Sequence, residues 1–141
     1  MERTLTMIKP DAVEAGNSGN ILAHLEGEGF RIVAVRRLRL SEAQARAFYE
    51  VHRERPFYDS LVEFMTSGPI VAAALERDDA VAGLRRVMGA TNPEEAEEGT
   101  VRALYASSIE RNGIHGSDSP ENAELELAFF FARADLIAAT G

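Results

Sequence analysis

The chain of 141 residues contains no cysteine. This absence excludes a disulfide framework, a thiolate nucleophile and a zinc site built on thiolates, so histidine or carboxylate side chains must carry any covalent chemistry. No apolar run approaches the ~18 residues of a membrane-spanning helix, and the acidic Glu2 near the start is not typical of a secretory signal. We therefore expect a cytoplasmic protein without a membrane partner.

Lysine is nearly absent, because Lys9 is the single lysine among 15 basic residues. The 23 acidic residues give a formal net charge of -8. Surfaces that bind nucleic acid neutralise phosphates with Lys and Arg, so this charge argues against stable nucleic-acid binding but not against a small anion in a locally basic pocket. The length, with 45% apolar residues, predicts a single domain over residues 1–141.

Alternating helix and strand patterns predict an α+β fold with helices covering one face of a sheet. Strand patterns cover residues 3–8, 31–40 and 70–75, and the apolar run at 125–131 predicts a final strand. The strand at 31–40 is expected to be buried on both faces where it begins, and the one at 70–75 to be central in the sheet. The tail at 132–141 is expected to be helical or frayed.

Helix starts are marked by capping residues and prolines. The predicted N-caps or first residues are Ser18, Ser41 with Gln44 as a capping box, Pro56, Asp78 or Asp79, and Ser119 followed by Pro120.

The heptapeptide from Asn112 to Asp118 places His115 in the setting of a nucleophile. A histidine side chain is largely neutral at pH 7, so a free ring nitrogen can attack an electrophile without a separate base. The glycines near it leave room for a substrate, and Ser117 and Asp118 add a hydroxyl and a carboxylate. The alternative interpretation is a polar turn whose histidine caps a neighbouring helix.

The segment from Gly89 to Asp118 is long for a connection with only a short helical pattern, which favours a functional loop. It contains Thr91, Arg102 and Asn112 in addition to His115. Lys9 lies where the first strand ends before a proline, and the residues alone allow either a surface-seeking end residue or a phosphate ligand.

The motif Asn112-x-x-His115-Gly-Ser-Asp118 resembles the active-site signature of the nucleoside diphosphate kinase family. Other segments occur in that family's order and spacing, so that the resemblance extends from Thr4 to about Phe131. These segments are Thr4–Asp11, Arg55–Leu61, Met65–Pro69, Gly89–Pro93 and Gly99–Arg102.

The resemblance implies a ferredoxin-like two-layer α+β sandwich, in which helices cover a four-stranded antiparallel sheet with its first and third strands in the centre. It also implies a homo-oligomer built from dimers into tetramers or hexamers, of which the tetramer is the expected form.

The implied activity is nucleoside diphosphate kinase, in which His115 takes the γ-phosphate from a nucleoside triphosphate such as ATP and passes it to a nucleoside diphosphate. Glu126 is expected to fix the tautomer of His115, while Ser117 and Tyr49 form hydrogen bonds near the transferred group. The implied nucleotide ligands are Phe57 and Leu61 for the base, Asn112 and Lys9 for the sugar, Lys9 and Arg102 for the transferred phosphate, and Arg85 and Thr91 for the next phosphate.

The implied cofactor is Mg²⁺, held by nucleotide phosphates and waters rather than by a protein cage, with Asp118 as the candidate for an indirect contact.

Two other functions remain open at this point. One is a non-catalytic ferredoxin-like module that binds nucleotide or RNA, although the acidic charge and the lack of an exposed aromatic pair on a strand argue against it. The other is a phosphatase or hydrolase that uses His115 with Asp118.

Overall fold

The structure, a computed structural model, describes residues 1–137. Four strands form one sheet: β1 (Glu2–Ile8), β2 (Arg31–Leu38), β3 (Ile70–Arg77) and β4 (Ile114–Gly116). Their order across the sheet is β2-β3-β1-β4, and each neighbouring pair is antiparallel. The predicted antiparallel sheet with its first and third strands in the centre is therefore confirmed.

Helices connect the strands and follow β4. In the described residues they are α1 (Pro10–Glu14), α2 (Ser18–Gly27), α3 (Glu42–Phe48), α4 (Tyr58–Met65), α5 (Ala80–Met88), α6 (Val101–Tyr105), α7 (Pro120–Phe130) and α8 (Arg133–Leu136), with 3₁₀ turns at Glu50–His52 and Pro93–Glu95. None of these helices has the length and apolar character needed to span a membrane.

Two apolar clusters lie on opposite faces of the sheet, because successive side chains of a strand point to alternate sides. Leu5 and Met7 of β1 belong to the first cluster with residues of α3, α4 and α7. Ile8 belongs to the second cluster, to which α1, α2, α5 and α6 contribute. Helices thus pack on both faces rather than on the one face that the helix and strand patterns predicted, and the central strands β1 and β3 are shielded from water.

The predicted final strand at residues 125–131 is wrong, because α7 continues through this run to Phe130. A short apolar run fits a buried helix as well as a strand. The helix begins where it was predicted: Ser119 Oγ accepts a hydrogen bond of 3.1 Å from Asn122 N. The fourth strand is instead β4, whose three residues are too few to produce a strand pattern.

The Ser41 capping box is confirmed, with Gln44 N donating to Ser41 Oγ and Ser41 N donating to Gln44 Oε1. Asp79 precedes α5 as predicted, but its backbone is left-handed, with φ of 55°, and its side chain makes no capping bond. Glu2 Oε1, from the start of β1, accepts a 2.7 Å bond from Val81 N and so caps α5 from a distant part of the chain.

Other predicted boundaries shift. Pro56 lies outside α4, which begins at Tyr58, and Ser18 is the first residue of α2 rather than its N-cap. The start of β2 is exposed at Arg31 and half-buried after it, so the prediction of burial on both faces is wrong. β2 is an edge strand, paired with β3 alone. The tail is helical at α8, and residues 138–141 lie outside the described residues.

We predict that Gly116→Ala destabilises the fold. A Cβ atom at Gly116 would lie 2.6 Å from Met88 Sδ and 2.9 Å from Leu84 Cδ2, and both of those side chains are buried. Overpacking of this kind typically lowers the free energy of unfolding by about 1–3 kcal/mol. Urea unfolding at one fixed protein concentration measures the change.

Gly19→Ala is the matched control. Gly19 lies in α2, and nothing is within 4 Å of the position of its added Cβ. Alanine is the better helix former, so this variant should be as stable as the parent or slightly more stable. Equal urea midpoints for Gly116→Ala and the parent would contradict the prediction, because they would show that Met88 and Leu84 move aside without lowering the free energy of unfolding.

Candidate active site

The backbone of His115 is held by the pairing of β4 with β1. His115 lies opposite Met7 in the antiparallel register, and Thr6 Oγ1 donates a 2.8 Å hydrogen bond to His115 O. Directly after β4, Ser117 N donates to Leu5 O at 3.2 Å. The position of the histidine is therefore set by the central strand of the sheet and not by the long loop that precedes it.

The imidazole of His115 is held by a carboxylate on α7. His115 Nε2 lies 2.8 Å from Glu126 Oε1, and Ser117 Oγ donates to the same oxygen at 2.7 Å. A carboxylate only accepts hydrogen bonds, so Nε2 carries the proton and Nδ1 retains its lone pair. The side chains of His115 and Glu126 are 20% and 21% exposed, which leaves the ring accessible to a substrate.

Two aromatic residues at the end of α3 lie beside this pair. The ring of Phe48 is 5.7 Å from the His115 ring, centroid to centroid, at an angle of 78°. Tyr49 is buried, and its Oη has no hydrogen-bond partner among the described residues. Burial and the charge of Glu126 raise the pKa of Tyr49, so the phenol remains a proton donor.

Lys9 follows β1 and is buried beside Asn112. Its Nζ donates to Asn112 Oδ1 at 2.9 Å, and its backbone N donates to Gly113 O at 2.9 Å. Burial and, to a lesser degree, the positive charge of Arg102 lower the pKa of Lys9 to about 8, although the charge of Asp11 acts in the opposite direction. An anion that binds beside Lys9 would stabilise its charged form, which burial destabilises.

Arg102, on α6, forms hydrogen bonds with both ends of the segment between α5 and β4. Its terminal nitrogens donate to Gly89 O at 3.0 Å and to Ile114 O at 2.9 Å, while its buried Nε has no partner among the described residues. Burial and the neighbouring charge of Arg85 lower the pKa of Arg102 to about 10, so the guanidinium stays charged at neutral pH. Arg85, at the end of α5, reaches toward Gly116 O at 3.5 Å.

A cleft of about 660 Å³ opens beside Lys9. Five of the predicted nucleotide ligands line it: Lys9, Phe57, Leu61, Thr91 and Asn112. The Phe57 side chain is 48% exposed, which leaves much of its surface free for contact with a planar ligand. A cleft of this size suits a small molecule.

The predicted residues thus form two groups. The first group is His115, Ser117 and Glu126, which are joined by hydrogen bonds. Tyr49 belongs with them, because the charge of Glu126 raises its pKa. The second group lines the cleft, and the bond between Lys9 and Asn112 lies where the cleft approaches β4. Arg85 and Arg102 do not line the cleft; they contact the backbone of β4 itself.

Asp118 is the residue predicted to make an indirect contact with a metal ion. Within residues 1–137, no group of three or more His, Asp or Glu side chains could hold a metal. Asp118 is exposed, and its Oδ1 accepts a 2.6 Å bond from Asn122 Nδ2. One exposed carboxylate suits an indirect contact with Mg²⁺, which keeps several of its waters.

Sequence reasoning missed Phe48 and Arg111. Phe48 looks like an ordinary core residue at the end of an amphipathic helix, and no local pattern indicates its contact with His115. Arg111 lines the cleft, with its guanidinium carbon 5.4 Å from the centroid of the Phe64 ring. Its position next to Asn112 in the motif was the available signal.

Comparison with known proteins gives a consistent family. The family model for nucleoside diphosphate kinase matches residues 2–136. A nucleoside diphosphate kinase from Persephonella marina is 53% identical over 137 residues, which cover 97% of this chain and 98% of the relative. One from a Methylobacterium species is 58% identical over 137 residues, with the same coverage of the two chains.

Solved structures agree with these relatives. The nucleoside diphosphate kinase of Aquifex aeolicus superposes with a TM-score of 0.94 at 46% identity, covering 96% of this chain and 99% of that one. A halophilic nucleoside diphosphate kinase from Halobacterium salinarum, solved in complex with CDP, has a TM-score of 0.94 at 39% identity, covering 99% and 93%. By sequence, fold and site, the chain belongs to the nucleoside diphosphate kinase family.

Proposed function

We propose that this nucleoside diphosphate kinase transfers phosphate in two steps through Nδ1 of His115. The observation that carries the proposal is the 2.8 Å contact between His115 Nε2 and Glu126 Oε1, which leaves Nδ1 unprotonated and 20% of the side chain exposed. In the first step the Nδ1 lone pair bonds to the γ-phosphorus of a nucleoside triphosphate. The bond from that phosphorus to the bridging oxygen breaks, and the nucleoside diphosphate leaves with the electron pair.

The second step reverses the first with a different nucleotide. A terminal phosphate oxygen of an acceptor nucleoside diphosphate bonds to the phosphorus, and the bond to Nδ1 breaks. In the intermediate the ring carries both the phosphoryl group and the Nε2 proton, and the carboxylate of Glu126 stabilises the positive charge that results. Ser117 shares Glu126 Oε1 and holds that oxygen in place.

The cationic and hydroxyl side chains stabilise charge on the transferred group. We assign Lys9 and Arg102 to the phosphate in transfer and Tyr49 to a hydrogen bond near it, because all three are buried polar groups and two of them retain unpartnered donors. Transfer of a phosphoryl group asks the protein chiefly for such positioning and charge.

The next phosphate of the nucleotide is assigned to Arg85 and Thr91. Arginine suits this role because its fork of donors matches pairs of phosphate oxygens. Arg85 lies near the charge of Arg102, and Thr91 lines the cleft.

The nucleoside is assigned to the cleft. Phe57 and Leu61 provide an apolar platform for the base, and Asn112 with Lys9 provides polar atoms for the sugar hydroxyls. Contact with the face of a ring tolerates every base, which suits an enzyme that must accept purines and pyrimidines. The neighbour from Halobacterium salinarum was solved with CDP.

Mg²⁺ is proposed to enter with the nucleotide and to neutralise phosphate charge there, with Asp118 in indirect contact. We place the enzyme in the cytoplasm, where nucleoside di- and triphosphates are available, and treat residues 1–141 as a single catalytic domain. Neither nucleic acid nor a membrane is a proposed partner.

We propose a homo-oligomer, with a tetramer built from dimers as the expected form. The family resemblance implies this assembly. The edge strand β2 supports it, because an unpaired edge that carries an apolar residue such as Val35, 54% exposed, favours contact with another chain.

Incubation with γ-labelled ATP tests the nucleophile. We expect a covalent, acid-labile label on the protein that His115→Ala abolishes, because no other group then attacks the γ-phosphate. His24→Ala is the matched control and should label like the parent, since His24 lies on α2, away from the site. A label that survives His115→Ala would contradict the proposal.

Addition of CDP to the labelled enzyme separates the kinase from a hydrolase. The kinase should move the label into CTP within one turnover, whereas a hydrolase that uses His115 with Asp118 should accumulate inorganic phosphate. A binding module without catalysis would never acquire the label.

The pH dependence of kcat/KM tests Lys9. Because the pKa of Lys9 is lowered to about 8, the free enzyme should lose the lysine's charge, and kcat/KM should decline, as pH rises through this value. ATP and CDP are suitable substrates, because their bases do not titrate in the alkaline range. Lys9→Arg, which keeps its charge, should remove this decline, and Lys9→Ala should reduce turnover by about 10²-fold or more with unchanged circular dichroism. A parental rate in Lys9→Ala would refute the assignment.

Light scattering after size-exclusion chromatography tests the assembly. A tetramer should scatter with four times the mass of the 15.4 kDa chain, and dilution should release dimers before monomers. A monomer at every concentration would contradict the proposed assembly and leave the catalytic proposal untouched.

A further inference from the structure

We infer that Phe48 is a positioning residue that fixes the plane of the His115 imidazole for attack on the phosphorus. This inference rests on the proposed phosphohistidine mechanism. It concerns a side chain that lies outside the nucleotide cleft and contacts the nucleophile directly, with ring centroids 5.7 Å apart and ring planes at 78°.

The known hydrogen bonds do not by themselves fix the plane of the ring. The contact with Glu126 restrains one atom, Nε2, and the bond from Thr6 restrains the backbone carbonyl of His115. With the backbone held, the imidazole can still turn about its Cβ–Cγ bond, because Nε2 lies close to that axis and moves little as the ring turns. A second contact on the body of the ring is required to stop this rotation.

Phe48 is itself held firmly enough to provide this second contact. It is the last residue of α3, and its ring lies 5.0 Å from that of Tyr49 and 5.3 Å from those of Phe129 and Phe130. These rings come from α7 and from the end of α3, the elements on either side of His115. The pairs of Phe48 with Tyr49 and with Phe129 are edge-to-face, at 81° and 72°, and pairs of this kind attract each other and favour one relative orientation.

Orientation matters because the lone pair of Nδ1 lies in the plane of the imidazole. In-line attack requires that the lone pair point at the phosphorus and opposite the leaving oxygen, and small misalignments of a reacting group are costly. Removal of the Phe48 ring should therefore slow phosphoryl transfer. Nucleotide affinity should not change, because Phe48 does not line the cleft.

Single-turnover kinetics on the full chain test the inference with ATP and CDP as the nucleotides. Phe48→Leu removes the ring and should slow formation of phosphohistidine by about 3-fold to 10-fold, the range expected for one aromatic pair. The dissociation constant for the nucleotide should stay at the parental value. Phe48→Tyr keeps the ring and should restore the parental rate.

Phe30→Leu is the matched control. Phe30 is 3% exposed in the cluster on the opposite face of the sheet, so the same substitution lowers stability without touching the site. A parental rate in Phe48→Leu would overturn the inference, as would equal slowing in Phe30→Leu or in Phe48→Tyr. If the parent acquired no label from γ-labelled ATP, the phosphohistidine mechanism itself would be refuted. A failure of the proposed mechanism is therefore distinguishable from a failure of the inference about Phe48.

Discussion

The hydrogen bond between His115 Nε2 and Glu126 Oε1 determines which ring nitrogen keeps a free lone pair, and the proposed mechanism depends on it. The bond has its geometry only because β4 is registered against β1 and α7 packs across the same strand. The same oxygen also accepts from Ser117, so one carboxylate orients two neighbours of the reaction centre. A fold that lost this register would retain every side chain and lose the orientation of the proposed nucleophile.

The site combines this precise geometry with buried positive charge. Lys9 and Arg102 are each less than one-tenth exposed. Burial and the charge of Arg102 lower the pKa of Lys9, and burial and the charge of Arg85 lower the pKa of Arg102. Burial of such charges costs stability unless something compensates for it. Under the proposed function, the phosphate groups of the nucleotide offer that compensation, so the buried charges favour substrate binding. The backbone carbonyls that accept from Arg102 limit the cost in the meantime.

The structure brings together most of the side chains that the sequence predicted for the site, whereas several element boundaries differ from their predictions. The motif around His115 is contiguous in the chain, and the central strands β1 and β3 are apolar enough to be recognised directly. The sequence did not predict that Glu2 caps α5 or that Phe48 touches His115, because both contacts join segments far apart in the chain. Nor could it separate strand from helix in the run at 125–131, where hydrophobicity alone is ambiguous. Three residues of β4 are recognisable only after β1 is in place.

The shortness and placement of β4 have a further consequence. The backbone of His115 is positioned by its pairing with β1. The cleft, in contrast, is lined in part by Thr91 and residues 109–112, which lie in the segment between α5 and β4. Insertions or deletions in the acidic part of that segment, around residues 93–98, can therefore reshape its exposed surface without displacing the imidazole. Separate stretches of the chain therefore determine the geometry around His115 and the character of the surface near the cleft. The surface can diverge in sequence while the geometry stays constant.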